Sequence, residues 1–369
     1  MILHLLFDDK FGEYAVKQFS GEEMCSEFVT VVHSSSPVYS HKVEGVRVVA
    51  EDKEEFQILL QSLDGYKAIV FHGLFFPWQE RVLQSVPDQV KVAWVFWGGD
   101  IYGRRELAPA YLSLSSRLLI RLHKWSRVLS NKKIKPAYEI PFSLLQRIDY
   151  CLTDVHEDFV FVKQYLNSEI REIWYNYYSV EETLGELADA TITGKNVLVG
   201  NSSSIECNHL HGFSLLRRLH LGDSKIVVPL GYGEMWLKNK LLAVGRFLFG
   251  NHFQPILDYI PRKEYNQIIQ SCSTIVMPHY RQQAFGNILT ALWLGSRVFL
   301  SERNCLFAYF KRIGAVVFSV EHDLKRSNPL VLSPLSESER KQNRKAIKEF
   351  YVRDVMHRRN LEIVRILNQ

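Results

Sequence analysis

Thr274-Ile275-Val276-Met277-Pro278-His279-Tyr280-Arg281-Gln282-Gln283-Ala284-Phe285-Gly286-Asn287, followed by Ile288–Leu294, is the stretch on which the fold turns. Its first four residues are apolar or β-branched, too short a run for a helix and the right length for a buried strand. A polar loop follows, and then an apolar segment suited to a helix. Strand, loop and helix in that order form half of a βαβ crossover, which returns the chain to a parallel neighbour.

Outward from this stretch the same alternation recurs. Ile2–Phe7, Phe28–Val32, Ala68–Phe71 and Val92–Trp97 read as buried strands. After a polar break from Glu181 to Gly194, a second series begins near Lys195: Val197–Val199, Lys225–Pro229, Arg246–Phe249, Thr274–Met277, Arg297–Leu300 and Ala315–Phe318. Helical segments fit between most of them, and such alternation gives parallel sheets covered on both faces. The expected fold is α/β, with two Rossmann-like domains whose parallel sheets face a central cleft. We place the first domain at 1–190 and the second at 191–335. A charged C-terminal helix at 336–369 is expected to pack back on the first.

Composition agrees with two globular domains: 369 residues, 47% apolar and 23% charged. No apolar run approaches the roughly 20 residues of a membrane span. Met1–Phe7 runs directly into Asp8 and Asp9, which fits a first strand better than an export signal. The five cysteines are odd in number and lack any CxxC pair, so structural zinc and a disulfide framework are not expected. Basicity is local. Arg104, Arg105, Arg117, Arg121, Lys124, Arg127, Lys132, Lys133 and Lys135 stand against Glu106 alone, a window of +8 in a chain of net +5, which leaves −3 elsewhere. Such a patch suits one anionic surface.

In open α/β sheets ligands bind at the carboxyl ends of the strands, where loops run into helix N-termini. In the first half those ends carry Phe71-His72-Gly73 and Trp97-Gly98-Gly99-Asp100. The glycines allow close backbone approach, and Asp100 or His72 can serve as general base toward an acceptor hydroxyl. A capping Asp100 and a satisfied core His72 are the plain alternatives. In the second half Gly200-Asn201-Ser202-Ser203-Ser204, with Asn208 and His209 beyond, can turn N–H groups and hydroxyls toward a phosphate, or simply cap a helix. Gly231 and Tyr232 form a turn whose ring can stack on a base or sugar, or a turn of purely structural use. Arg281, Gln282 and Gln283 precede a helix that begins near Gly286 and Asn287. A fixed cation with a helix dipole suits a diphosphate that gains charge as a sugar departs, with a plain surface charge as the alternative for Arg281. There is no GxGxxG after the first strand, no GxxxxGK[ST] and no DxD pair. NAD enzymes and P-loop NTPases lose support, and a mechanism without metal or cofactor is expected.

At these loops the chain resembles glycosyltransferase family 56. The resemblance rests on Phe71-His72-Gly73 with Phe76-Pro77, Trp97-Gly98-Gly99-Asp100-Ile101-Tyr102, Val199-Gly200-Asn201-Ser202, Pro229-Leu230-Gly231-Tyr232, Arg281-Gln282-Gln283 with Gly286, and Leu300-Ser301-Glu302-Arg303-Asn304. These fall in the family's order across roughly 70–305. It implies a GT-B fold with an acceptor-binding first half and a donor-binding second half. It also implies transfer of a deoxyamino sugar such as N-acetylfucosamine from a nucleotide diphosphate, thymidine favoured, to a lipid-linked saccharide at the cytoplasmic face of the inner membrane. Asp100 and His72 then look catalytic, with Gly73, Trp97, Gly98 and Gly99 on the acceptor side. Gly200, Asn201, Ser202, Ser203, His209, Gly231, Tyr232, Arg281, Gln282, Gln283, Gly286 and Asn287 look donor-binding. The chain departs from the family at Gly99, where alanine is usual, and at Asn208, where an acid is. Thr290 stands where broader GT-B enzymes carry a ribose-gripping Glu.

Two other readings stay open: within enzymes, a transferase using another donor such as GDP-fucose, and, from a different class, a non-catalytic nucleotide-sugar-binding subunit of an envelope assembly complex. No nucleic-acid motif accompanies the basic window, so nucleic acid is not an expected partner. Within that window Tyr111, Leu114, Leu118, Leu122, Trp125 and Leu129 recur at spacings of three and four, flanked by Arg117, Arg121 and Lys124. This pattern fits a helix lying on an anionic membrane, or a core helix with a solvated basic edge.

Overall fold

The computed structural model describes residues 1–7, 9–21, 23–35, 44–129 and 138–369, without the side chains of Asp9, Lys10 and residues 127–129. Lys132, Lys133, Lys135 and Asp8 lie outside the described residues, as do the side chains of Arg127 and Leu129. The chain divides into two compact units, one comprising Met1–Arg104, Pro136–Ser179 and Arg353–Gln369, the other Arg105–Lys135 and Val180–Val352.

Among the described residues, the first unit contains a sheet of seven strands: β1 (Ile2–Leu6), β2 (Ser26–Val32), β3 (Val46–Ala50), β4 (Ala68–His72), β5 (Lys91–Val95), β6 (Tyr150–Thr153) and β7 (Arg171–Trp174). Their order is β3-β2-β1-β4-β5-β6-β7 and every pairing is parallel. β1 and β4 are buried along their whole length, as strands covered on both faces must be. The core gathers Ile2, Leu6, Val70, Val95 and Leu152 with Ile363, Val364 and Leu367 of the last helix, Arg353–Asn368.

The second unit repeats the plan with six strands: β8 (Asn196–Val199), β9 (Ile226–Pro229), β10 (Phe253–Ile256), β11 (Cys272–Met277), β12 (Arg297–Leu300) and β13 (Phe318–Ser319). Their order is β10-β9-β8-β11-β12-β13, again parallel throughout. Its core joins Val197, Val199, Val228 and Val276 to Phe213, Leu237, Leu241 and Phe249. In both sheets the first strand of the unit lies inside, with the second on one side and the fourth on the other. The order reverses between β1 and β4, and between β8 and β11. A reversal opens a crevice outside the carboxyl ends, because the connections leave to opposite faces there.

Several expectations change. Arg246–Phe249 is no strand: it closes the helix Met235–Phe249, in which Leu237, Leu241, Gly245 and Phe249 point inward at helical spacing. A Cβ on Gly245 would stand 2.2 Å from the Phe253 ring, so glycine is needed for that strand to pack there. The strand itself is Phe253–Ile256, whose Pro255 disguises it. As an edge strand it tolerates the missing donor. β3, β6 and β7 add strands that short, mixed runs had hidden. The segment 336–369 is two helices, and they fall in different units. Glu337–Tyr351, opened by a Ser336/Glu339 capping box, belongs to the second, and Arg353–Asn368 to the first.

The helix Leu114–Leu129 clusters with the second unit, not with the first as the 1–190 boundary had it. Ser116 is buried, with its Oγ 2.9 Å from Asn208 Oδ1, and the His123 ring stacks on Trp236 with centroids 3.9 Å apart. The apolar stripe faces outward: Leu114 is 83% exposed, Leu118 and Leu122 58%, and Trp125 76%. Arg121 and Lys124 beside it are exposed too, and Arg117 is half-buried with its Nε on the Leu112 carbonyl. Arg104, counted on sequence in the same basic window, is instead buried in the first unit against the Ile140 carbonyl. Among the described residues no helix is long and apolar enough to cross a membrane.

Candidate active site

In the first unit the loops after β4 and β5 are built by buried polar side chains. Gln79, fully buried, accepts from the backbone N–H groups of Phe75 and Phe76 through Oε1 (2.6 and 2.9 Å) and donates to the Gly73 carbonyl at 2.8 Å. Gly73 has φ +88°, and a Cβ there would meet the rings of Phe7 and Phe75 at 2.7 Å each. Gly98, at φ +80°, turns the chain into the short helix Gly99–Tyr102, on which Asp100 sits.

Asp100 is buried. Its Oδ2 accepts the Trp94 indole N–H at 2.9 Å, and its Oδ1 has no hydrogen-bond partner. Burial pushes the carboxyl up to about 7, against the lowering effect of the Trp94 hydrogen bond and nearby backbone N–H groups. A carboxyl poised there is suited to general-base work at neutral pH.

His72 is differently placed. Its Nε2 lies 3.0 Å from His4 Nδ1 and its Nδ1 2.8 Å from the Tyr177 hydroxyl, which also accepts the Trp97 indole N–H at 2.9 Å. Burial, then the neighbouring His4, hold its pKa well below the ordinary value. With both nitrogens engaged, the neutral ring braces Trp97 through Tyr177. Trp97 itself is half-buried among Phe7, Phe11 and Phe75. Beyond β6, Asp154 accepts from Asn176 at 2.9 Å and is pushed up to about 8 by burial and then Asp158.

In the second unit the loops after β8, β9 and β11 interlock. Gly200 has φ +66°, and a Cβ there would stand 2.6 Å from His209 Nε2. Asn201 Nδ2 donates to the Tyr232 hydroxyl at 3.0 Å, and Ser203 donates to the Tyr232 carbonyl from both N and Oγ, each at 2.8 Å. Tyr232 remains 57% exposed. Gly231 passes so near the Asp258 carbonyl that a Cβ would approach its oxygen to 2.3 Å. The Cys207 thiol, buried, donates to Asn201 Oδ1 at 3.2 Å, lies 3.6 Å from Ser202 Oγ, and receives Gln283 Nε2 at 3.6 Å. Neither Cys207 nor Glu206 stood out in the sequence, because neither belongs to a motif.

Arg281 donates from Nη2 to Glu206 Oε2 and from Nη1 to the Gln282 carbonyl, both at 2.9 Å. Ala284 takes the left-handed conformation (φ +61°), a strained choice for a residue with a Cβ, and opens the helix Phe285–Leu294. Gly286 lies in its first turn, where its carbonyl accepts from Thr290 Oγ1 at 3.0 Å. Asn287 donates from Nδ2 toward the Tyr265 hydroxyl at 3.5 Å. Four side chains on the loops and helix starts after β8 and β11 keep buried polar atoms without partners: His209 Nε2, both nitrogens of His279, Arg281 Nε and Gln283 Oε1. Each such atom costs about 1–3 kcal/mol unless something completes it. They cluster at the strand-order reversal, where a ligand is expected.

Two parallel α/β sheets of this topology, each with polar loops at the carboxyl ends beside its reversal, form a GT-B fold. Solved structures agree on the fold. A sucrose-phosphate synthase from Thermosynechococcus elongatus matches with a TM-score of 0.62 at 12% identity, over 99% of this chain and 98% of that one. Anabaena Alr3699/HepE in complex with UDP and glucose matches at 0.63 and 9%, over 99% and 98%. An alpha,alpha-trehalose-phosphate synthase (UDP-forming) from Burkholderia xenovorans, in complex with glucose-6-phosphate, matches at 0.62 and 10%, over 100% and 99%. Residues 10–328 match the family described as 4-alpha-L-fucosyltransferase, glycosyl transferase group 56, and the chain belongs to that family. The match extends past both ends of the 70–305 stretch that carried the resemblance.

Proposed function

We propose that this glycosyltransferase moves a deoxyamino sugar such as N-acetylfucosamine from thymidine diphosphate to the hydroxyl of a lipid-linked saccharide, in cell-envelope glycan assembly at the cytoplasmic face of the inner membrane. The bond from the sugar's anomeric carbon to the β-phosphate oxygen breaks, and its electron pair stays on the diphosphate. The acceptor oxygen forms the new bond to that carbon and gives its proton to Asp100 Oδ1. Arg281 and the start of the helix Phe285–Leu294 meet the growing negative charge, and no metal takes part.

The observation that carries this reading is the set of buried, unpartnered polar atoms. Asp100 Oδ1 stands at the end of one sheet, and those of His209, His279, Arg281 and Gln283 at the end of the other. An acceptor hydroxyl completes the first, and a diphosphate sugar completes the others. The outward stripe Leu114, Leu118, Leu122 and Trp125, with Arg121 and Lys124 alongside, supports a seat on an anionic bilayer. The test is thermal unfolding with thymidine, uridine and guanosine diphosphates, followed by product mass with each matching donor. A ligand at about 100 times its Kd adds about 2.7 kcal/mol. Thymidine diphosphate is expected to protect most. Protection by none of the three overturns the reading.

A further inference from the structure

Arg281 is not held as a free cation. Its guanidinium is gripped by Glu206 at 2.9 Å, with both side chains largely buried, and the Ser204 hydroxyl donates to the same carboxylate oxygen at 3.0 Å. The Gln282 carbonyl fixes a second nitrogen at 2.9 Å. The buried Nε–H is left without a partner. Burial works against ionisation of Glu206, yet the charge of Arg281 and the hydrogen bonds from Arg281 and Ser204 outweigh it and hold the carboxyl below its ordinary value. Glu234, just beyond β9, is close enough for its own carboxyl to be raised by burial and then by the Glu206 charge.

A diphosphate bound to Arg281 therefore sits beside one carboxylate, with a second nearby. That arrangement weakens anion binding, since like charges a few ångströms apart repel. Weaker binding is useful where the anion is a product that must leave, because release limits turnover in many transferring enzymes. We infer that Glu206 is a positioning residue for the transfer. It holds the Arg281 guanidinium with its Nε edge toward the leaving diphosphate, and it offsets enough of that charge for the spent nucleotide to depart. The inference rests on Arg281 being the diphosphate ligand.

The experiment is calorimetric titration of thymidine diphosphate into wild type, Glu206→Gln, Glu206→Ala, Arg281→Ala and the Arg281→Ala/Glu206→Gln double variant, with kcat measured on the same preparations. Glu206→Gln is expected to bind the nucleotide roughly tenfold more tightly, the effect of removing a nearby like charge at the screening of a protein surface, and to turn over more slowly. The gain is expected to vanish when Arg281 is absent, because burial then favours the protonated, uncharged Glu206 carboxyl and leaves no like charge to remove. A residue of purely structural use would weaken binding when changed, so unchanged or weaker affinity in folded Glu206→Gln overturns the inference, as does a gain that persists without Arg281. Should Glu206→Ala fail to fold, the isosteric Gln variant decides. If wild type binds no diphosphate, the donor reading falls first. If wild type binds and Glu206→Gln gains nothing, only the positioning role falls.

Discussion

The Trp94 indole donates to Asp100 Oδ2 at 2.9 Å, while Oδ1 of the same buried carboxyl has no partner. Trp94 is itself fully enclosed on β5, so one carboxyl oxygen is anchored to a rigid strand. An anchored base needs little reorganisation when a hydroxyl arrives, which is what positioning contributes to a rate.

The first prediction concerns this carboxyl. The carboxylate is the active form, so kcat/KM should rise with pH and level off above about 7. Asp100→Asn should lose about 10²–10⁴ in rate and flatten the profile. Stability should move the other way. The folded pKa, about 7, exceeds the ordinary value of 3.8, so the fold binds this proton more tightly than the unfolded chain does. The resulting stabilisation is whole below the unfolded value and is lost as pH rises through about 7, up to about 4 kcal/mol. Asp100→Asn should therefore narrow the Tm difference between pH 5 and pH 8. An inactive variant that keeps the wild-type pH dependence of Tm would refute the assignment.

Arg281→Ala removes the cation from the second unit's loop. Diphosphate affinity and kcat should fall together, because the same charge acts on ground and transition states. Losing a hydrogen bond to a charged group typically costs about 1.5–3 kcal/mol, or roughly 10- to 150-fold in Kd. Activity should survive excess EDTA. A strict need for Mg²⁺ or Mn²⁺ contradicts the metal-free scheme.

The outward stripe can be tested without turnover. Basic residues near an anionic bilayer contribute about 1 kcal/mol each, so changing Arg117, Arg121 and Lys124 to Glu should lower vesicle co-sedimentation by more than tenfold at low salt. Changing Leu118, Leu122 and Trp125 to Ser should remove what binding remains at high salt. Equal binding by all variants, or no binding by wild type, excludes this face as the membrane contact.

Two glycines of these loops should respond differently to one methyl group. At Gly73 a Cβ meets two aromatic rings at 2.7 Å on a φ of +88°, so Gly73→Ala should cost about 1–3 kcal/mol in chemical denaturation. At Gly99 the nearest atom, on the Phe75 ring, is 3.4 Å away, an ordinary contact. Gly99→Ala should be near neutral, which suits a position where the family usually carries alanine. A comparable loss at both sites would contradict this account of the loop.

Much of the fold could be read before any coordinates. Runs such as Thr274–Met277 and Ala68–Phe71 are buried on both faces, so their character is continuous and local. Arg246–Phe249 could not be resolved that way, because four apolar residues serve a helix end as well as a strand. Phe253–Ile256 was hidden by a proline that only an edge position permits. The loops that hold Asp100 and Arg281 were legible because glycines, polar residues and strand ends mark them. Their state was not.

Residues 111–129 show the same division. The stripe at spacings of three and four was determined by the sequence, since helical periodicity follows from backbone geometry alone. Whether that stripe faced the core or the solvent was not, and it faces out because Ser116 and Leu119, not the leucines of the stripe, meet the rest of the unit. Likewise the sequence determined that an Asp, a His and an Arg end up at strand ends. Only tertiary structure decided that His72 is closed off by Tyr177, 105 positions away, and that Arg281 is held by Glu206, 75 positions away. Hydrogen bonds and burial join residues the folded chain brings together, and no local pattern encodes which partners those will be.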